Sequence, residues 1–126
     1  MFRIVPQLTV RDVSRSVEFY TGLLGFTVTE ADPPDAPEFA ALDREEASLF
    51  LVSDASREAL SQPVPGGTPR GVGVRLYLEV DDAVSEHGRL AAAGAQIHRA
   101  LEQDPGQNYA EFSILDPDGY EIGIFS

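Results

Sequence analysis

Residues able to recognise or transform a small molecule recur at alternate positions along this chain. Carboxylates can act as general bases or bind amines, a guanidinium can clamp a carboxylate or phosphate, and aromatic rings offer stacking surfaces. The candidate ligand-binding residues are Gln7, Phe50, Arg75, Tyr77, Glu79, Glu111, Glu121 and Phe125. Their types predict a site for a small organic ligand and leave the catalytic residues, if any, unassigned.

The amino-acid composition excludes several other chemistries. The chain has no Cys and no Lys, so all nine basic residues are Arg. It therefore has no thiol nucleophile, disulfide, cysteine-ligated metal or lysine Schiff base. We interpret His87 as an ordinary helical residue and His98 as a residue at the rim of a strand. The sequence also lacks the Gly-x-Ser-x-Gly elbow of serine hydrolases.

The charge balance narrows the range of partners. The 126 residues carry a net charge of -12, and 43% of them are hydrophobic, which is enough for one domain with a core. Such acidity repels nucleic acid and anionic membranes. The first residues show no basic segment followed by a long apolar one, and no apolar stretch has the length of a membrane span. We therefore expect a soluble cytoplasmic protein.

The elements that must position the candidate residues follow from hydrophobic periodicity and from Gly, Pro and Asp signals. Strands are predicted at 3–10, 26–30, 38–42, 47–52, 72–80 and 95–99 and as a hairpin within 109–125, and helices at 12–25 and 82–94. The order βαβββ thus occurs twice. We predict a single α+β domain over 1–126, with module 1 at about 1–53, a linker at 54–71 holding at most one helical turn at 56–60, and module 2 at about 72–126.

Short sequence matches support two copies of one module. Glu38-Phe39-Ala40-Ala41-Leu42-Asp43 aligns with Glu111-Phe112-Ser113-Ile114-Leu115-Asp116 at an offset of 73 residues. Val10-Arg11-Asp12 aligns with Val80-Asp81-Asp82 at an offset of 70 residues. The alignment predicts that Phe39 and Phe112 occupy equivalent core positions.

Alternation along the strands predicts which side chains lie under the helices. The predicted helix-facing residues are Ile4, Leu8, Val10, Leu49, Leu51, Val72, Val74, Leu76, Leu78, Val80, Ile122 and Ile124. The opposite face then carries the candidate site, together with Glu38 and Ser113. Because carboxylates outnumber Arg75 on that face, we expect it to attract a cationic or amine-bearing ligand, while a carboxylate or phosphate bound by Arg75 remains an alternative.

Two stretches of the chain resemble a known family. Residues 10–20 with Leu24-Gly25-Phe26 resemble the opening helix of the vicinal oxygen chelate superfamily, which includes glyoxalase I, bleomycin-resistance proteins and extradiol dioxygenases. Residues 111–122, which contain Asp116-Pro117-Asp118-Gly119, resemble the closing hairpin of the same superfamily. The resemblance implies two βαβββ modules in an open, barrel-like mixed sheet around a cleft. It also implies a homodimer.

The resemblance further locates the positions at which metal-dependent members hold their ion. These positions are Val5, Phe50, Arg75 and Gly123 in this sequence. None has a side chain that ligates a divalent cation, so the resemblance is closest to the metal-free bleomycin-resistance branch, which sequesters a ligand and needs no cofactor. One alternative is a lyase, isomerase or dioxygenase with a metal relocated to Gln7, Glu79 and Glu121, or with Glu111 or Glu121 as general base. A second is a regulatory or scaffold module that kept the fold and lost the site. The 104–110 loop lacks the Trp and Arg common in the family, so no particular ligand is predicted.

Overall fold

The computed structural model describes residues 2–56 and 67–126, which fall into two compact units, Met1–Thr68 and Pro69–Ser126. The elements of the first unit are β1 (Gln7–Val10), α1 (Val13–Gly22), β2 (Thr27–Asp32), β3 (Phe39–Arg44) and β4 (Ala47–Ser53). The elements of the second are β5 (Arg75–Glu79), α2 (Ala83–Ala92), β6 (Gln96–Asp104), β7 (Tyr109–Leu115) and β8 (Glu121–Phe125). The predicted α+β class and the repeated βαβββ order are confirmed. The helical turn predicted at 56–60 and most of the predicted linker lie outside the described residues.

Each unit is a four-stranded mixed sheet with one helix against it. The strand orders are β1-β4-β3-β2 and β5-β8-β7-β6, so the units share one topology. β1 runs parallel to β4 and β5 runs parallel to β8, and the other neighbouring strands are antiparallel. Within the described residues, neither ten-residue helix has the length and hydrophobicity needed to cross a bilayer.

The helix ends follow the local sequence signals. Asp12 and Asp82 have extended backbones and accept hydrogen bonds from the backbone N–H groups of Arg15 and Ser85, at 3.2 and 3.1 Å. Each carboxylate thereby satisfies a donor that the first turn of a helix leaves unpaired. Beyond α1, Gly25 takes a positive φ of 73°, a conformation that costs glycine little.

The prediction of which side chains face the helices is correct in β4 and β8 and wrong for residues that precede β1 and β5. Leu49, Leu51, Ile122 and Ile124 are at most 3% exposed, as predicted. Ile4, Val72 and Val74 were predicted under the helices and are instead 83%, 76% and 56% exposed. The reason is that β1 and β5 begin later than predicted, so these residues precede the paired part of each sheet.

The aligned phenylalanines of the two modules lie on different faces, so the offset of 73 is wrong for these strands. Phe112 is 1% exposed and contacts His87 of α2 at 5.0 Å, whereas Phe39 is half-buried and packs on Phe50 at 5.4 Å. The turn between β3 and β4 spans two residues, 45–46, and that between β7 and β8 spans five, 116–120. The unequal turns shift the strand register by one residue, and a one-residue shift exchanges the faces. Glu38, predicted on the site face, lies before β3.

Candidate functional site

The face of the second unit's sheet opposite α2, here called the open face, carries most of the candidate residues. The contact between Phe112 and His87 shows which face meets the helix. Side chains alternate along strands, and paired residues share a face. The open face therefore holds Arg75, Tyr77, Glu79, Tyr109, Glu111, Ser113, Glu121, Gly123 and Phe125. The structure thus brings together all six candidate residues predicted in the second module.

Glu111 is the centre of a hydrogen-bond network on the open face. Its Oε1 accepts from the Tyr77 hydroxyl at 2.5 Å and from Nη1 of Arg99 at 3.1 Å, and its Oε2 accepts from the Tyr109 hydroxyl at 2.5 Å. The hydrogen bonds from Tyr109 and Tyr77 lower the pKa of Glu111 despite an opposing effect of burial. The bond to Glu111, helped by burial, raises the pKa of Tyr109 to about 12. Glu111 is therefore held ionised and Tyr109 protonated.

Arg75 links this network to a second carboxylate. Its Nη1 donates to the Tyr77 hydroxyl at 3.0 Å, and its Nε lies 2.8 Å from Oε2 of Glu121, with an angle outside the hydrogen-bond range. Burial opposes ionisation of Glu121, but the Ser113 hydroxyl and the Arg75 guanidinium outweigh it, so the pKa of Glu121 is lowered. Two guanidinium groups and two carboxylates thus form a connected, charge-balanced cluster.

Gly123 provides the space that Tyr77 occupies. A Cβ at position 123 would lie 2.6 Å from Cε1 and 2.7 Å from Cδ1 of the Tyr77 ring. Because Gly123 is paired directly with Tyr77 across β8 and β5, the ring lies against the bare backbone. This packing places the Tyr77 hydroxyl within reach of both Arg75 and Glu111.

Three aromatic side chains form a wall beside the network. Tyr77 contacts Phe125 edge-on at 5.7 Å, and Tyr109 contacts Phe125 at 6.4 Å with the rings tilted by 33°. Tyr77 is 46% and Tyr109 39% exposed. Exposed aromatic rings fixed by hydrogen bonds offer stacking area at a low cost in conformational entropy.

Two pockets of ligand size adjoin the open face. One, of about 440 Å³, is lined by Gly71, Gly73, Val74, Arg75, His98, Leu115, Gly119 and Glu121. The other, of about 470 Å³, is lined by Asp81, Asp82, Val84, Gln103, Asp104, Pro105, Asn108, Tyr109, Ala110 and Ser126. Both volumes fall in the range of small-molecule sites, roughly 300–1,000 Å³.

In the first unit, the sheet pairing brings Gln7 and Phe50 side by side. They are partners in the parallel pairing of β1 with β4, and Phe50 also packs on Phe39. Glu79 ends β5 opposite Phe125 and is exposed on the open face.

Sequence reasoning missed Tyr109 and Arg99, which hold Glu111. Tyr109 could have been found, because it lies two residues before Glu111 and shares its face. Arg99 gave no such signal, since β6 has register irregularities on both sides of it and strand alternation fails there.

The residues present do not fit the metal site of the family's metal-dependent members. Arg75 carries a cationic guanidinium, and the space where a side chain of residue 123 would begin is filled by the Tyr77 ring. Val5 and Phe50 carry only hydrocarbon side chains. In the described part of the chain, no three His, Cys, Asp or Glu side chains group as metal ligands would.

Comparisons with known proteins agree with this architecture. TioX from Micromonospora sp. ML1 is 21% identical, with a TM-score of 0.81 over 99% of this chain and 98% of that chain. A glyoxalase/bleomycin resistance protein/dioxygenase from Nocardioides is 26% identical, with a TM-score of 0.75 over 99% and 83% of the chains. Lactoylglutathione lyase from Agrobacterium tumefaciens is 18% identical, with a TM-score of 0.72 over 99% and 93%.

Sequence comparison gives the same family. No curated protein matches the chain significantly. The family model described as Glyoxalase/Bleomycin resistance protein/Dioxygenase superfamily matches residues 3–124. The chain therefore belongs to the glyoxalase/bleomycin resistance protein/dioxygenase superfamily.

Proposed function

We propose that this protein binds a small aromatic molecule on the open face without a resident metal, and acts by sequestering it. The observation that carries the proposal is the wall of Tyr77, Tyr109 and Phe125, with both tyrosine hydroxyls fixed by Glu111. A ligand stacking there would meet rings already held in place. Preorganisation of this kind lowers the entropic cost of binding.

The enzyme alternative finds less support in the geometry. A general base must accept a proton, whereas Glu111 already accepts from three donors and has a lowered pKa. The pKa of Glu121 is also lowered, by Ser113 and Arg75. Both carboxylates are therefore weak bases, and binding without chemistry is the function that this site supports best.

Calorimetric titration with 2-naphthol, a neutral planar probe, tests the binding site. Tyr77→Leu and Tyr109→Leu should each weaken binding by about three- to tenfold, because each removes an aromatic contact. Phe2→Leu is the matched control, since Phe2 is 95% exposed and precedes β1. Unchanged affinity in both tyrosine variants, with their folds intact, would refute the proposed site.

Metal analysis tests the absence of a metal requirement. Protein purified without chelator should carry no stoichiometric Ni, Zn, Fe or Mn, and EDTA should leave the 2-naphthol affinity unchanged. A bound equivalent of any of these metals would contradict the proposal. We also propose a homodimer, as the family resemblance implies, and sedimentation equilibrium would detect a monomer instead.

A further inference from the structure

The charged groups on the open face differ in how much of each reaches solvent. The side chains of Arg75 and Arg99 are 36% and 35% exposed, whereas those of Glu121 and Glu111 are 18% and 14% exposed. A ligand approaching the cluster therefore meets these guanidinium groups before it meets the carboxylates of Glu111 and Glu121.

The hydrogen bonds of the carboxylates also make the guanidinium groups, rather than the carboxylates, the accessible partners for a ligand. Both oxygens of Glu111 already accept hydrogen bonds from side chains of the cluster, and Oε2 of Glu121 is buried against Arg75. An ammonium ligand would have to displace phenol or guanidinium donors to reach these oxygens. Each guanidinium, by contrast, has five N–H donors in a planar fork suited to a carboxylate.

The acidity of the whole chain does not reverse this local balance. Interactions between exposed charges fade beyond about 8 Å at physiological ionic strength. Glu79, at the end of β5, lies four residues beyond Arg75, or about 13 Å along the strand. Glu102 of β6 pairs with Glu111 and is exposed, but β6 is three strand spacings, or about 14 Å, from β5. The charges that a ligand at Arg75 experiences are therefore mainly those of the cluster.

We propose, resting on the function proposed above, that the ligand is an aromatic molecule carrying a carboxylate or another oxyanion. The aromatic part stacks on Tyr77 and its neighbours, and the anionic group binds Arg75 and Arg99. The 440 Å³ pocket lined by Arg75 and His98 gives room for that group. We thus favour the anionic ligand, which the sequence left open as an alternative at Arg75, over the cationic one.

Three probes of one shape and different charge test the ligand class: 2-naphthoate, 2-naphthol and 2-naphthylmethylammonium. Calorimetry on the full chain should show 2-naphthoate binding at least tenfold more tightly than the ammonium probe. Arg75→Gln and Arg99→Gln should each weaken 2-naphthoate binding at least fivefold more than they weaken 2-naphthol binding. Arg75→Lys, which keeps the charge and loses the planar fork, should recover only part of the loss.

Arg15→Gln is the control, because it makes the same charge change at an exposed position of α1. Ammonium binding equal to or tighter than naphthoate binding would overturn the anionic class while leaving the aromatic site intact. An equal loss in Arg15→Gln would also overturn it, since the effect would then come from net charge. If none of the three probes binds, the proposed function itself fails.

Discussion

Gly123→Ala is expected to displace Tyr77 and so to dismantle the network on the open face. The added Cβ would lie 2.6 Å from Cε1 of Tyr77, about 0.8 Å short of the 3.4 Å at which ordinary contact begins. The backbone of β8 is paired on both sides, with β5 and β7, so the tyrosine ring must move instead. The ring is 46% exposed and can rotate outward, which breaks its hydrogen bonds to Arg75 and Glu111.

The stability cost follows from the same geometry. Overpacking costs about 1–3 kcal/mol, and a half-exposed ring that can yield places this variant near 1 kcal/mol. In a Tyr77→Ala background the clash is gone, and Gly123→Ala should cost nothing. Urea unfolding followed by circular dichroism should therefore give a coupling free energy of about 1 kcal/mol between the two sites.

Two comparisons make the result decisive. Gly88→Ala, in α2, adds a Cβ that meets nothing within 4 Å beyond its chain neighbours and the backbone of its own helix, and should stabilise the protein by about 0.5–1 kcal/mol. Gly123→Ala should also weaken 2-naphthol binding about as much as Tyr77→Leu does. If Gly123→Ala destabilises the protein equally with and without Tyr77, the ring is not what fills this space and the reasoning is refuted.

Four further predictions test the network and the fold. Phenolate absorbance should show the pKa of Tyr109 near 12 and falling toward 10 in Glu111→Gln; because this pKa is raised, its stabilising effect is present below pH 10 and is lost as pH rises through 12. Because the pKa of Glu111 is lowered, its ionised form stabilises the fold above the unfolded-state pKa, and this stabilisation is lost as pH falls through the folded-state pKa. Tyr109→Phe should therefore reduce the decrease of the urea unfolding midpoint at acid pH. Arg44→Met should cost about 1–2 kcal/mol in urea unfolding, because Nη1 of Arg44 donates to a carbonyl just after α1 at 2.7 Å. Phe112→Ala should cost about 3–5 kcal/mol and Phe39→Ala clearly less, since only Phe112 is fully buried, and similar costs would contradict the register difference between the modules.

The net charge of the chain and the local charges of the open face lead to different expectations for the ligand. A net charge of -12 predicts attraction for cations, and the open face does carry Glu79, Glu111 and Glu121. Composition does not show, however, that Arg99 joins Arg75 there and that the carboxylates are the more buried partners. Local pairing therefore decides which sign of charge a ligand meets.

The sequence by itself determined the order of elements, the helix starts at Asp12 and Asp82 and the inward faces of β4 and β8. These features depend on local chemistry, since a cap or an alternating strand is specified within a few residues. For the same reason, the six candidate residues of the second module could be predicted to share a face.

Only the tertiary structure decided the contacts that depend on register. The unequal turns put Phe39 and Phe112 on opposite faces, and the irregularities of β6 brought Arg99 to Glu111. The sequence showed that Gly123 lacks a metal ligand, but not that the Tyr77 ring occupies its place. Such contacts join strands distant along the chain, and a one-residue shift in pairing, which leaves the hydrophobic pattern of each strand unchanged, is enough to alter them.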